Sequence, residues 1–365
     1  MTEREILETL LAEITNGTFS EAGKLPSEAA LCGRFGVSRM TVRGALSELQ
    51  RRGLIEKRNG SGSFLTRRAL RKSGIVGLVI PDFRMFEFFS TMQTEIARHC
   101  ARLNYRVELV TTDEVEPDAA VADLRHKVRR LATIRPEGVI FRPYVANNFA
   151  KASNEIVQIL KHAEIPVVLI DADIVQPPER SEFDLVAVDN IAAGRRIARH
   201  LYEQGYRRIA FLSGTRVRAM NTNWANRLFG LAGELALLGV ENAVRTLLCP
   251  PESQKSVIAA LRGRQGPDAI VCGNDEQAAS LLKTLSAIGR RVPEDIAVIG
   301  FDNSDRARNS HPPLSTVSQP VGKIAATAFK TLLARIRYPN NDPRETYLPA
   351  PIVIRNSTIS RSGRG

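Results

Sequence analysis

The 365-residue sequence holds no run of about 18 apolar residues, so nothing in it reads as a membrane span. Cysteine is scarce: Cys32, Cys100, Cys249 and Cys272 stand far apart, with no C-x-x-C pair. That excludes a disulfide mini-scaffold and reads as reduced, buried thiols in a cytoplasmic protein. The N-terminus, MTEREILETLLAEITNG, lacks the basic start, uninterrupted apolar stretch and small-residue cleavage site of a secretory signal. Enzyme signatures are missing together. No G-x-G-x-x-G follows the first apolar run, and no G-x-S-x-G elbow occurs. The segment GTFSEAGKL (17–25) imitates a phosphate loop, but it has one residue too many between its glycines and Leu25 where a magnesium-binding hydroxyl belongs. His99, His126, His162, His200 and His311 form no metal-ligand spacing. The expectation is no catalytic residue, no metal and no cofactor.

What is present is the balance of an ordinary globular chain, 43% hydrophobic and 25% charged, long enough for two or three domains. The formal net charge is +12, an excess that favours a polyanionic partner. Its placement sharpens the point. Residues 1–72 hold 13 Lys/Arg against 8 Glu and no Asp, about three times the net charge density of the remainder.

Ile6, Leu7, Leu10, Leu11 and Ile14 form one stripe of an amphipathic helix that Gly17 stops. Ser27 then has the chemistry of an N-cap for a short helix ending at Gly36. Ser38 caps a third helix, with Val37 and Val42 as its hydrophobic staple. In that helix Val42, Ala45, Leu46 and Leu49 share one arc at ~100° per residue, and Arg39, Arg43, Ser47 and Gln50 share the next. One side packs and the other presents two guanidiniums. After Gly53 the period becomes two, and Asn59-Gly60 between LIEKR and SFLT is a hairpin signal.

Three helices and a hairpin make a winged helix-turn-helix, in which the second helix of the turn enters the major groove. Arg39 and Arg43 suit guanine edges. Ser38, Thr41, Lys24 and the helix-start N–H groups suit phosphate oxygens. Arg58, Gly60 and Gly62 of the wing could approach a minor groove or a phosphate. Periodicity alone leaves a competing reading, a three-helix packing unit with solvated arginines.

The stretch LPSEAALCGRFGVSRMTVRGALSELQRRGLIEKRNGSGSFL resembles the DNA-binding domain of the GntR family of bacterial repressors, over about residues 3–66. The motifs LPSE, GVSR-x-TVR, L-x-x-L-x-x-x-GLI and G-x-G-x-F stand in order. The resemblance implies operator contacts from Arg39, Arg43, the helix-start hydroxyls and a wing glycine. It departs at Ala29, where the family commonly places a DNA-contacting Arg, which alters the expected operator rather than DNA binding itself. The expected organisation is a head at 1–66, a basic linker at 67–73 and a body at 74–355.

The linker carries Arg67, Arg68, Arg71 and Lys72 without apolar periodicity. It reads equally as a phosphate contact or an exposed tether. From Gly74 onward, short apolar runs alternate with helical stretches: IVGLVI (75–80), RVELVT (106–111), GVIF (138–141), PVVLID (166–171), LVAVD (185–189), RIAFLS (208–213), AIVCG (269–273) and IAVIGF (296–301). Continuous apolar runs suit strands buried on both faces, and helices between them imply a doubly wound α/β fold in two lobes. Ligands of such folds sit beyond the carboxyl ends of the strands or between lobes. PDFRMFEFF follows the first run with an acid and four phenylalanines, which either stack on a ligand or plug the core. GNDEQAA and GFDNSD each place Asp or Asn at a strand end, as ligand contacts or as helix N-caps, Asp275 in particular as a cap. Arg227 can offer a ligand oxygen its fork of donors or form a surface ion pair. Asp189 reads as a helix cap.

LVAVDN-x-x-AGRRIARHLYEQGYRRIAFLSG, NRLFGLAGELALLGV, VPEDIAVIGFDN and HPPLSTVSQP are similar to the effector domain of the LacI family, over about 74–355. The resemblance implies a fold of the periplasmic-binding-protein type I kind, with a central cleft and three crossovers near 213, 302 and 319. It implies effector contacts at Arg227, Asn274 and Asp302, and more loosely at Phe83 and Phe86. A GntR-type head on a LacI-like body resembles regulators of the arabinose-responsive type. The chain is therefore expected to be a cytoplasmic, homodimeric repressor of carbohydrate-use genes. Its expected partners are a pseudo-palindromic operator and a sugar-type effector, with no membrane. A nucleobase or nucleoside effector and a DNA-tethered enzyme are the alternatives.

Overall fold

A computed structural model describes residues 1–15, 18–19, 23–58, 60–66, 73–81, 87–114, 116–144, 150–213, 222–240, 244–262 and 266–359. Phe83 and Phe86, Asn59, Gly17 and most of the basic linker lie outside the described residues.

The head consists of α1 (Glu3–Thr15), α2 (Glu28–Phe35), α3 (Arg39–Arg51) and a hairpin, β1 (Ile55–Arg58) with β2 (Gly62–Leu65). Its core is the set of arcs read from the sequence: Ile6, Leu7, Leu10 and Ile14 of α1 are buried against Val42, Ala45, Leu46 and Leu49 of α3. Both serine caps form. Ser27 Oγ accepts from Ala30 N, Ser38 Oγ accepts from Thr41 N, and α2 ends on Gly36. The hairpin is antiparallel with Arg58 opposite Gly62. Gly60 and Gly62 sit at φ +73° and +105°, where a side chain would be strained.

The body follows as β3 (Ile75–Val79), α4 (Glu87–Ala101), β4 (Arg106–Val110), α5 (Pro117–Ile134), β5 (Gly138–Phe141), α6 (Ala150–His162), β6 (Val167–Ile170) and β7 (Asp184–Val188). Next come α7 (Asn190–Glu203), β8 (Ile209–Leu212), α8 (Thr222–Leu237), β9 (Val244–Leu247), α9 (Gln254–Leu261), β10 (Ala269–Cys272) and α10 (Asp275–Ala287). The chain closes with β11 (Ala297–Asp302), α11 (Asp305–Asn309), β12 (Ser315–Ser318), α12 (Val321–Arg337), β13 (Glu345–Leu348) and β14 (Ile352–Val353).

These strands build two six-stranded sheets, in the orders β13-β7-β6-β5-β3-β4 and β14-β12-β11-β10-β8-β9. All pairings are parallel except β12 with β14. In the first lobe α4 and α12 cover one face of the sheet, and α5 and α6 the other. In the second, α7 and α8 lie on one face and α9 to α11 on the other. Each of the eight apolar runs is a strand, buried on both faces in the central positions as the parallel arrangement demands.

Two of the three expected crossovers are corrected. The chain passes between sheets at 188–190, 318–321 and 348–352; the one near 319 stands, and those near 213 and 302 do not. Ser213 and Asp302 instead end strands that stay within the second sheet. The second and third passages exist because α12 and β13 return to the first lobe, a pairing between distant segments with no local signal.

One close packing positions the cleft. A Cβ on Gly194 of α7 would lie 2.1 Å from the Arg227 carbonyl, and one on Gly230 of α8 2.1 Å from the Ile191 carbonyl. The paired glycines let the two helix backbones touch. That contact fixes α8, and with it Arg227, against the start of α7.

All four cysteines are free thiols, three of them buried, and burial pushes Cys100 up to about 12. Among the described residues no helix is long and apolar enough to cross a membrane.

Candidate functional site

Two regions collect the residues singled out from the sequence. On the head, Lys24, Ser38, Arg39, Arg43, Arg58, Gly60 and Gly62 are exposed and Thr41 is half-buried. Arg39 opens α3 and has no ion-pair partner among the described residues. Arg43, one turn on, is held: its Nε donates to Glu28 Oε2 at 2.8 Å, and Lys57 Nζ lies 3.8 Å from the other oxygen. The Arg43 hydrogen bond keeps the Glu28 carboxyl below its ordinary range. Ser38 and Thr41 are bonded to each other at 2.9 Å, so both hydroxyls are fixed at the helix start. In the wing, the Arg58 guanidinium lies 4.5 Å from the Phe64 ring centre and pairs with Glu56, while Lys24 Nζ lies 5.5 Å from the same ring centre. Glu28 as the anchor of Arg43 was missed, although it stands in the LPSE motif.

The second region is the cleft between the lobes. Arg227, Asn274 and Asp302 line one cavity of about 80 Å³. Each arrives by a different route. Arg227 projects from the second turn of α8, Asn274 from the cap of α10, and Asp302 from the end of β11. Asp302 and the following Asn303 take φ +119° and +58°, a turn stored at the strand end. Asn274, not Asp275, is the α10 cap, with its Oδ1 accepting from Gln277 N. Asp275 is 1% exposed, and its carboxylate accepts from Thr316 Oγ1, Ser304 N and Ser304 Oγ at 2.6 to 3.0 Å. It thus ties β12 and the turn after β11 to α10, a larger role than the expected cap. Asp189 does cap its helix, accepting from Ala192 N.

The structure adds residues that sequence reasoning missed, Arg142, Asp171, Asn223, Trp224 and Gln319, and of the four phenylalanines after the first run it brings Phe88 and Phe89, at the start of α4, to the cavity. Asp171 stands just after β6 as Asp302 stands at the end of β11, at φ +71°, so the strand-end rule that found one could have found the other. Asp171 accepts from Asn223 Nδ2 at 2.9 Å and from Arg142 Nε at 3.3 Å. Gln319 Nε2 donates to Asp302 Oδ1 at 2.7 Å. Arg227 Nε donates to Asn190 Oδ1 at 2.8 Å and Nη1 to the Gly273 carbonyl at 2.5 Å, with its guanidinium 3.3 Å from the Phe301 ring centre. A second cavity of about 330 Å³, beside the start of α7 and α8, shares Asp171 and Asn223 with the first.

Burial dominates the electrostatics. It pushes the Asp302 carboxyl up to about 7 against the pull of Arg227, and draws Arg227 down to about 10. Asp275 rises to about 6 for the same reason. The lobes also touch outside the cavity, through Thr222 Oγ1 to Gln176 Oε1 at 2.7 Å and Asp305 N to the Glu87 carboxylate at 3.1 and 3.2 Å. Such a cleft can hold a small polar molecule by paired donors and acceptors, with closure adding interlobe bonds.

A winged head on a two-lobed, cleft-bearing body defines a transcription regulator with its own effector domain. Comparison with known proteins gives its family. Residues 2–65 match the family described as bacterial regulatory proteins, gntR family, and residues 198–358 match the periplasmic binding protein-like domain. The chain is 30% identical over 276 residues to the HTH-type transcriptional repressor PurR of Vibrio atlanticus, covering 74% of this chain and 77% of that one. Among solved structures, a transcriptional regulator CelR–cellobiose complex superposes with TM-score 0.64 at 22% identity, covering 97% of this chain and 98% of that one. A LacI family regulator of Enterococcus faecium with bound ribose superposes with TM-score 0.63 at 24% identity, covering 78% and 98%. The chain belongs to the LacI-type family of HTH transcriptional regulators, with a GntR-type head. It is a DNA-binding repressor and not an enzyme.

Proposed function

We propose that the protein represses carbohydrate-use genes as a cytoplasmic homodimer. The head, residues 1–66, binds a pseudo-palindromic operator; 67–73 is the tether; and 74–355 is released or engaged by a sugar-type effector in the interlobe cleft. Arg39 and Arg43 read base edges, and Ser38, Thr41, Lys24, Arg58, Gly60 and Gly62 hold phosphate or groove. Arg227, Asn274 and Asp302 bind the effector, joined by Asp171 and Arg142. The observation that carries the sugar reading is the alternation of donors and acceptors around one cavity, Arg227, Asp302, Gln319 and Asn274, with Trp224 and Phe89 beside them. A sugar hydroxyl both donates and accepts, and a ring's apolar face stacks on an aromatic side chain. Two neighbouring folds hold cellobiose and ribose. A nucleobase or nucleoside is the second reading, favoured by the aromatic group of Phe88, Phe89 and Trp224.

A thermal-shift panel of monosaccharides, sugar acids, oligosaccharides and nucleobases tests this. Ligand at about 100 times its dissociation constant adds ~2.7 kcal/mol. A shift from nucleobases and none from sugars replaces the first reading by the second.

The cleft also predicts a pH dependence. Asp302 accepts hydroxyl protons best when ionised, so a sugar should bind about tenfold more tightly at pH 8 than at pH 6, with proton release on binding below pH 7. The sign for the unliganded fold is opposite. The folded pKa exceeds the unfolded value, so the stability this group contributes is fully present below ~3.9 and is lost as pH rises through about 7. Calorimetry at the two pH values checks the first, and a flat profile in Asp302→Asn assigns it to this carboxyl.

A further inference from the structure

The recognition helix does not end in solvent. Arg52 caps the C-terminus of α3, is 8% exposed and donates to Glu48 Oε1 at 2.7 Å. Its guanidinium lies 5.0 Å from the ring centre of Tyr338, the residue that caps the C-terminus of α12 in the first lobe. Beside it, a Cβ on Gly53 would lie 3.4 Å from Pro339 Cγ, so the backbone leaving α3 rests on the turn leaving α12. That turn is itself pinned. Arg335 donates to the carbonyls of Pro339, Asn341 and Asp342 and to the Asp184 carboxylate of β7.

The other end of α12 lies at the effector cleft. Gln319, two residues before the helix, donates to Asp302 at the end of the adjacent strand of the second lobe, and Val321 begins the helix proper, which packs in the first. Between the two ends run 17 residues of helix, about 25 Å long. Ile324, Ala325, Ala328, Phe329 and Leu332 are buried along it against the first sheet and α4. A helix so buried moves with its lobe as a rigid body. Arg52 Nη1 is buried and has no hydrogen-bond acceptor among the described residues. A contact with an unsatisfied donor is weakened by that group, so it can be released without breaking the fold.

We propose that Tyr338 is a positioning residue for DNA reading: it seats the C-terminal end of the recognition helix on α12, so that α12 carries the state of the cleft to Arg39 and Arg43. The proposal goes beyond effector control as such, since it names the route. It rests on the cleft reading only for its upstream end. The stacking of a planar guanidinium on an aromatic ring gives the contact direction as well as attraction, which a simple ion pair would not.

The chain supplies its own reporter. Trp224 is the only tryptophan in the sequence, and it lines the cleft. Coupling between two sites is reciprocal, so DNA at the head must alter the cleft. The experiment titrates the full-length protein, without effector, with a duplex that the wild type selects from a randomised library, and follows Trp224 emission. Wild type should show a change saturating with DNA. Tyr338→Ala should bind the same duplex within about threefold yet lose most of the Trp224 change, and Tyr338→Phe, which keeps the ring, should retain it. Arg52→Lys keeps the charge beside Glu48 but not the planar stack, and should behave as Tyr338→Ala does. A Trp224 change of wild-type size in Tyr338→Ala overturns the route, as does a wild type whose emission does not respond to DNA. Loss of DNA binding in both Tyr338 variants assigns the ring a purely structural role and also overturns it. Failure of the cleft as the effector site would show separately, as an Arg227→Ala variant that still responds to effector.

Discussion

An Arg227→Ala variant is expected to bind operator DNA with wild-type affinity and to lose its effector response, with effector binding weakened about 100- to 1,000-fold, or ~3–4 kcal/mol. The size follows from the guanidinium's situation. It is 5% exposed, so water does not compete for its donors. Two of its five N–H groups go to Asn190 Oδ1 and the Gly273 carbonyl, which aims the rest at the cavity. Hydrogen bonds to a charged group contribute ~1.5–3 kcal/mol each, and a ligand would lose up to two. The variant also removes the cation that holds the Asp302 carboxyl down. Residual effector binding should therefore need a higher pH than in wild type, an outcome that simple loss of packing would not give. Arg227→Lys keeps the charge but not the fork and should fall between the two. DNA affinity serves as the control for folding, because Asn190 and Gly273 each lose a partner. Calorimetry with the effector found by thermal shift reads the first quantity and fluorescence anisotropy the second. If Arg227→Ala still responds at wild-type effector concentrations, Arg227 lies outside the site.

The residues legible in the sequence were those whose role is local or carried by a motif. Ser27 and Ser38 announce helix starts because the cap bond spans three residues. Seven of the eight apolar runs announce strands because both faces are buried, and the eighth, β4, does so although it lies at a sheet edge. The strands that were missed lack that pattern. β9 lies at a sheet edge, and β14 has two residues. β12 reads STVS, yet its Ser315 and Thr316 are fully buried, made tolerable by bonds to Ser357, Thr358 and Asp275. A buried polar strand of this kind looks like a loop in the sequence, since the partners that make it possible lie about 40 residues away. The cleft divides in the same way. Arg227, Asn274 and Asp302 come from motifs, whereas Arg142 and Asn223 are single polar residues whose meaning appears only when the lobes meet at Asp171. Gln319 is brought to Asp302 by the pairing of β12 with β11, where Ser318 lies opposite Asp302, and that pairing joins segments 16 residues apart.

Replacing Arg39 by alanine is the second large effect, an expected loss of ~1–3 kcal/mol of operator binding together with relaxed base preference at one position. The two arginines of α3 are not equivalent. Arg43 is already engaged by Glu28 and must exchange that partner for DNA, or carry the carboxylate towards it. Arg39 has no such debt: it is exposed at the first position of the helix, beside the fixed hydroxyls of Ser38 and Thr41. A guanidinium placed there can meet guanine O6 and N7 with both arms while the hydroxyls take the neighbouring phosphate. Its loss should therefore discriminate among sequences. A phosphate contact such as Lys24 should weaken all duplexes alike and lower the salt dependence by about one ion. The measurement is anisotropy at fixed salt over single-base variants of the selected duplex. Unchanged affinity and unchanged base preference in Arg39→Ala would remove Arg39 from the groove. Equal weakening across all variants would make it a phosphate contact and leave Arg43, once freed from Glu28, as the reader.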